Sequence, residues 1–261
     1  MARFCPLFSS SRGNSTYVGS SDGGILIDCG VSAKKLHASL DSVGVNPDSI
    51  GAIFITHEHT DHICGLKTFA SAHGIDVYAS LGTVNALTAS GALNGKFPVN
   101  IIDDNGVEVN GIFVRPFHLS HDAREPFGYS AVTSDNRRIC VATDTGTVTD
   151  EILSAIYGSD LVLLESNHDI GMLQNGSYPY MTKRRILSDL GHLSNDLCAE
   201  TAVKLLEGGT TRFCLAHLSK ENNIPSLAYQ STYSELTQIG AVEGRDYRLS
   251  VAGGDAQMMF L

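Results

Sequence analysis

Thr56-His57-Glu58-His59-Thr60-Asp61-His62 gathers four candidate metal ligands, His57, His59, Asp61 and His62, into six consecutive residues. Alternate side chains of an extended segment share a face, so His57 and His59 can hold one ion while Glu58 and Thr60 point elsewhere. Asp61 falls where the chain would turn into a helix starting near His62, and these two groups can serve a second ion. Imidazole combined with carboxylate suits zinc, and also manganese or iron. Two neighbouring cations call for a shared ligand, and a carboxylate is the natural bridge. Asp144 is the candidate, delivered by the apolar run Ile139-Cys140-Val141-Ala142-Thr143 and followed by Gly146 for the turn. His121 follows the strand-like residues 114–119, and His217 ends Arg212-Phe213-Cys214-Leu215-Ala216. Functional groups collect at such strand ends, although each of these histidines taken singly reads as a hydrogen-bonded structural residue.

The elements that must position these groups are readable from periodicity. Gly24-Ile25-Leu26-Ile27-Asp28 reads as a buried strand with a turn at Gly30. Ser32 then caps a helix with Ala33, Leu36, Leu40 and Val43 on one face. Residues 51–55 form the next strand. A helix runs from His62 through Leu66, Phe69 and Ala70 to a stop at Gly74, residues 76–79 form a strand, and Thr83 caps a short helix. Val107-Glu108-Val109, Asn110-Gly111 and Ile112-Phe113-Val114 predict a hairpin with a type I′ turn, and residues 129–133 and 138–143 a second one across Asp135-Asn136. The second half alternates: helix near 149–157, strand 160–165, helices near 179–190 and 195–207, strand 212–216, helix 225–239, strand 246–251. Strands in two halves of similar rhythm, with helices between them, imply two packed sheets with helices on the outer faces.

The bulk numbers agree with such a fold. A chain of 261 residues with 43% hydrophobic content can bury a real core. No secretory signal and no apolar run long enough to span a bilayer is visible. The six cysteines (Cys5, Cys29, Cys64, Cys140, Cys198, Cys214) are scattered without a C-x-x-C pair, as reduced core residues of a cytoplasmic protein would be. A net charge of −10 argues against a broad basic face that coats nucleic acid, but not against phosphate held at a metal centre. Local basic groups occur at Lys34-Lys35, Lys183-Arg184-Arg185 and Lys220, with Lys34 and Lys35 expected on a solvated helix face.

The H-x-H-x-D-H segment, with Asp28 before it and His121, Asp144 and His217 after it, resembles the metallo-β-lactamase superfamily along nearly the whole chain. The resemblance implies an α+β fold, the αββα four-layer sandwich with two mixed sheets, as a single domain over residues 1–261. It implies two divalent ions, zinc or manganese, one held by His57, His59 and His121 and the other by Asp61, His62 and His217, with Asp144 bridging. Asp28 would orient the ligand loop from behind. His118 competes with His121, which matches the family position and lies in the polar Ser120-His121-Asp122. His37 and His73 fall on helices and read as surface residues.

Fold alone does not choose among hydrolases. Glu165, at a strand end, and His192, before a capped helix, are similar to the Glu and His used beside the metals in phosphodiesterase branches such as the tRNA 3′-processing enzymes. A histidine oriented by a carboxylate could protonate a leaving alkoxide; the plainer reading of His192 is a polar residue satisfying backbone groups at a helix start. Only 22 residues separate His121 from Asp144, too few for a tRNA-clasping arm, and the 72 between Asp144 and His217 cannot hold a large inserted β-CASP domain. What remains most resembles the compact bacterial YycJ/WalJ-like group. Its pattern is echoed by Ser11-Arg12-Gly13-Asn14-Ser15, Ser120-His121-Asp122-Ala123, Glu165-Ser166-Asn167-His168-Asp169 and His217-Leu218-Ser219-Lys220-Glu221-Asn222-Asn223. The resemblance implies a 5′-to-3′ exonuclease acting on DNA through metal-activated water, with Asp61 and Asp144 at the reacting centre. Ser219, Lys220 and Asn222 would contact a terminal or flanking phosphate; for Lys220 an exposed loop charge is an equal reading. No protein partner is implied. The alternative is a small-molecule hydrolase acting on a cyclic phosphodiester, thioester or lactone, and a third reading is a non-catalytic metal-binding or redox module.

Overall fold

The computed structural model describes residues 1–261. The chain divides into two compact units. One comprises Met1–Pro116, Ala123–Arg137 and Gly253–Leu261, and the other Phe117–Asp122 and Arg138–Ala252.

The first unit begins with β1 (Arg3–Phe8), β2 (Ser15–Gly19) and β3 (Gly24–Ile27), then α1 (Ala33–Ser42) and β4 (Ile50–Phe54). After β4 come α2 (Thr60–Ile63), α3 (Leu66–His73), β5 (Asp76–Ala79), α4 (Leu81–Ala89) and β6 (Val99–Ile101). Next are β7 (Val107–Val109), β8 (Ile112–His118), β9 (Phe127–Thr133) and β10 (Arg138–Ala142). The remaining chain forms α5 (Asp150–Ile156), β11 (Leu161–Glu165), α6 (Ile170–Asn175), α7 (Tyr180–Ile186), α8 (Asn195–Glu207), β12 (Arg212–Ala216), α9 (Pro225–Gln238), β13 (Arg248–Val251) and β14 (Met259–Phe260).

The strands make two seven-stranded sheets, ordered β14-β1-β2-β3-β4-β5-β6 and β13-β12-β11-β10-β9-β8-β7. Both are mixed, as the α+β reading requires. In the first, β1, β2 and β3 pair antiparallel and β3 to β6 parallel. In the second, β10 to β13 run parallel and β7-β8 is an antiparallel hairpin. The hairpin turn is the expected one, since Asn110 and Gly111 both adopt positive φ, 52° and 67°.

The first unit has its own apolar core, in which Leu26, Ile53, Ile55 and Val77 from the sheet meet Leu36, Leu40 and Phe69 from α1 and α3. The second has another, built from Cys140, Val162, Leu164, Phe213 and Leu215 with Ile152, Cys198, Ala202 and Leu236 from the helices. Each fully buried Leu, Ile or Phe contributes about 1.5–3 kcal/mol.

Several expectations need correction. The helix expected from His62 to Gly74 is two helices, because Gly65 packs on the loop after β3. A Cβ there would lie 2.0 Å from the Val31 carbonyl oxygen, and the Gly65 N–H donates to Cys29 O at 2.8 Å. Gly74 ends α3 in the left-handed conformation as anticipated. Ser80 rather than Thr83 caps α4, its hydroxyl accepting from the Thr83 N–H at 3.0 Å. The helix expected near 179–190 ends at Ile186, and α6 precedes it. Five cysteines are buried free thiols, whereas Cys64 is exposed at the break between α2 and α3. His37 and His73 lie on α1 and α3, but half-buried, with their Nε2 atoms 2.7 Å apart. No helix is long and apolar enough to cross a membrane.

Candidate metal centre

In the first unit the ligand loop leaves β4 under restraint on both sides. The Tyr129 hydroxyl donates to Ile55 O at 2.7 Å, and the Phe127 N–H donates to Thr56 O at 2.9 Å. Asp28 lies immediately after β3 and is buried. Its Oδ1 accepts the Thr56 N–H at 2.8 Å, and its Oδ2 accepts the Thr56 hydroxyl at 2.9 Å and faces His62 Nδ1 at 2.7 Å. Burial pushes the Asp28 carboxyl up, against the opposing pull of His62 and Thr56. With Nδ1–H directed at Asp28, His62 presents its Nε2 lone pair on the other side, toward Asp61 Oδ2 at 3.5 Å. His57 Nε2 and His59 Nδ1 stand 3.0 Å apart, and the His57 and His62 ring centroids 4.1 Å. The four side chains read from the histidine segment are thus brought together. Glu58 turns away, as expected, and accepts the Arg124 N–H at 2.9 Å.

The second unit gathers the remaining residues. His217 follows directly on the end of β12, and Asp144 lies two residues past the end of β10. Glu165, the last residue of β11, is wholly buried. Its Oε1 lies 2.8 Å from both His192 Nδ1 and His217 Nδ1, and its Oε2 accepts the Thr145 N–H at 2.8 Å. Burial opposes the charged form of Glu165, but the two imidazoles outweigh it and hold the carboxyl down at about 2. His217 Nδ1 and His192 Nδ1 lie 3.4 Å and 3.7 Å from Asp144 Oδ1. His121 directs Nδ1 at the Gly191 carbonyl, 3.0 Å away, and burial lowers its pKa. His118, by contrast, sits exposed at the end of β8.

The donor set fits a divalent cation. His62, His121 and His217 each have Nδ1 on an oxygen acceptor, which fixes the tautomer that leaves Nε2 as the basic nitrogen. Asp144, Glu165, His192 and His217 offer ligand atoms all within 4.8 Å of one another. His192 therefore stands among potential ligands as well as in the position of an acid.

Backbone strain marks the same residues. Five non-glycine residues have positive φ; Asn110 and Asn136 are turn residues, and the other three are Asp28 (64°), Asp144 (64°) and His217 (57°). Such strain persists where surrounding bonds over-determine it, which is common at functional sites. Beneath His217, Asn167 Nδ2 donates to His217 O at 2.8 Å, and Asn223 Nδ2 donates to Asn167 O at 3.1 Å.

Of the three expected phosphate contacts, Ser219 and Asn222 are buried, and the Asn222 N–H donates to Ser219 Oγ at 3.2 Å; Lys220 is exposed. Two residues escaped the sequence reading of the site. Asn14 places Nδ2 3.1 Å from His62 Nε2 and 3.3 Å from Asp61 Oδ2; the Ser11-Arg12-Gly13-Asn14-Ser15 motif was its signal. His168, inside Glu165-Ser166-Asn167-His168-Asp169, is buried with neither ring nitrogen hydrogen-bonded, and burial holds its pKa at about 4.

The sequence matches the family described as the beta-lactamase superfamily domain over residues 24–218. The chain belongs to the metallo-β-lactamase superfamily. Among relatives of this superfamily member, exodeoxyribonuclease WalJ of Streptococcus pneumoniae is 38% identical over 251 residues, covering 95% of this chain and 93% of the relative. Exodeoxyribonuclease YycJ of Bacillus anthracis is 38% identical over 250 residues, covering 94% and 93%. The metallo-β-lactamase fold protein YhfI of Bacillus subtilis has a similar fold, with a TM-score of 0.73 at 14% identity over 99% of each chain. Yeast PDE1 superposes with a TM-score of 0.76 at 13% identity over 100% of this chain and 99% of its own. At such identities these two structures speak to the metallo-β-lactamase fold alone.

Proposed function

We propose that this protein is a metal-dependent exodeoxyribonuclease that removes nucleotides from DNA in the 5′-to-3′ direction, as a single metallo-β-lactamase domain in the cytoplasm. The observation that carries the reading is the Glu165–His192 pair beside Asp144 and His217, in a chain aligned over nearly its whole length with exodeoxyribonucleases. His57, His59 and His121 would hold one divalent cation and Asp61, His62 and His217 a second, with Asp144 shared and zinc or manganese as the metal. Such a pair supplies Lewis acidity toward the phosphate and an activated water.

The protein's own groups do the rest. Asp28 and Thr56 fix the rotamer and tautomer of His62, and Glu165 does the same for His217. Glu165, ionised and buried, also holds His192 by Nδ1, so that a protonated His192 has Nε2–H to give to the leaving oxygen. The His192 side chain is 14% exposed, enough to meet a bound strand end. Lys220 is exposed for contact with a flanking phosphate, while Ser219 and Asn222 shape its loop.

The test is a panel of end-labelled linear DNA, RNA, bis-p-nitrophenyl phosphate, a thioester and a lactone, each with zinc or manganese. Mononucleotides released progressively from the 5′ end of DNA are expected. A preference for the thioester or lactone with DNA intact would establish the small-molecule hydrolase instead, and inertness toward all five would favour a non-catalytic metal module.

A further inference from the structure

α7 carries an unusual surface. Tyr180 and Met181, adjacent in its first turn, are 71% and 69% exposed. Contiguous large apolar side chains in water mark interaction sites far more often than scattered ones do. The same helix holds Lys183-Arg184-Arg185, the longest run of cations in a chain with 18 basic and 28 acidic residues. Two of these cations fasten the helix in place. Lys183 Nζ donates to the carbonyls of Gln174 and Gly176, at 2.8 and 2.6 Å, and the Arg185 guanidinium forks onto Asp122 at 2.5 and 2.7 Å. Arg184 is left beside the apolar pair, its guanidinium carbon 5.9 Å from the centroid of the Tyr180 ring.

The C-terminal end of α7 is hydrogen-bonded to the segment that carries His192. The His192 N–H donates to the carbonyl of Ile186, the last residue of α7, at 3.0 Å, and Gly191 O meets His121 Nδ1 at 3.0 Å. A ligand seated on the first turn of α7 would therefore lie one seven-residue helix, about 10 Å, from that hydrogen bond.

We propose that Tyr180, Met181 and Arg184 form a stacking platform for single-stranded DNA, which takes one or two bases of the strand beside the phosphodiester being cleaved. An aromatic face with a guanidinium beside it recognises a ligand that has both π faces and negative charge, and a nucleotide strand has both. A second copy of this chain would also match the apolar side chains, but of the three cations it is Arg184 that remains for a partner, and it lies beside the Tyr180 ring, the pairing that a base with its phosphate fills. The proposal deepens the exonuclease reading and rests on it for the substrate class.

Michaelis constants for a single strand of roughly 20 nucleotides, long enough to run past the site, test it. Tyr180→Ala and Arg184→Ala should each raise KM about tenfold, with turnover at saturation changing far less, and Tyr180→Phe should retain the wild-type KM because it keeps the ring. Arg184→Ala should also flatten the dependence of log affinity on log salt by about one phosphate contact. Anisotropy with a phosphorothioate-linked strand reads the same affinities without turnover, so wild-type protein that cleaves no DNA would sink the exonuclease reading while the platform is still measured. Equal DNA affinity in wild type and both alanine variants overturns the platform. So does a dimer in sedimentation that Tyr180→Ala dissociates while KM for DNA stays constant, since the surface would then belong to a second copy.

Discussion

Glu165 shows how a single buried side chain can determine the state of its neighbours. Taking a carboxylate wholly out of water is costly, and this one is kept charged by two imidazoles, the Thr145 N–H and the Leu193 N–H. In return it fixes the tautomer of both histidines, one a candidate ligand and one a candidate acid. His192→Ala is expected to slow DNA turnover about 10²- to 10⁴-fold, the range of a lost general acid, with metal content by elemental analysis retained. A matching loss of metal would reassign His192 as a ligand, a role its place beside Asp144 and His217 also permits. Glu165 was legible in the sequence as a carboxylate at a strand end, and His192 as a histidine just before a capped helix. Asn14 was signalled by its motif but its role was not, because its contact with Asp61 and His62 joins positions 47 and 48 residues away, and no local periodicity encodes that.

At the scale of elements, the ligand segment is shaped as much by two glycines as by its histidines. Gly30 and Gly65 let the loop after β3 press against α2 and the turn that follows it. A Cβ at Gly30 would stand 1.7 Å from Asp61 O, and the Gly30 N–H donates to Asn14 O at 2.8 Å. Gly30→Ala should therefore displace Asp61 and His62 together, lowering stability by about 3 kcal/mol, the upper end for overpacking. Thermal melting and metal stoichiometry measured on the same sample check this; an unchanged melt with full metal content would mean the loop relaxes freely. The break at Gly65 explains why the helix expected from His62 to Gly74 is split: helical periodicity reports which face is apolar, not how near a neighbouring backbone comes. Ser80 displaced Thr83 as a cap for a related reason, since both are good capping residues and only the chain direction after β5 decides between them.

Across the whole molecule, the candidate ligands are spread in sequence from His57 to His217, so a cation held by them would favour the folded chain over the unfolded one. Binding only to the folded state adds about 2.7 kcal/mol when metal is present at 100 times its Kd. Removal by a chelator should then lower the melting temperature by roughly 5–10 °C, reversed by zinc or manganese. A melt indifferent to chelation would count against these donors forming a metal site. The sequence by itself determined the class of the fold, most strand and helix positions and the identity of the ligand candidates, because alternation, breakers and strand-end polar groups are local signals. The type I′ turn at Asn110-Gly111 and α8 at 195–207 are as the sequence required. Only the tertiary structure decided the tautomers of His62, His121 and His217, the left-handed backbone of Asp28, Asp144 and His217, the burial of Ser219 and Asn222, and the exposed platform of α7. Each depends on what lies across space from a residue, and the distance between non-neighbouring backbones is not written in the order of side chains.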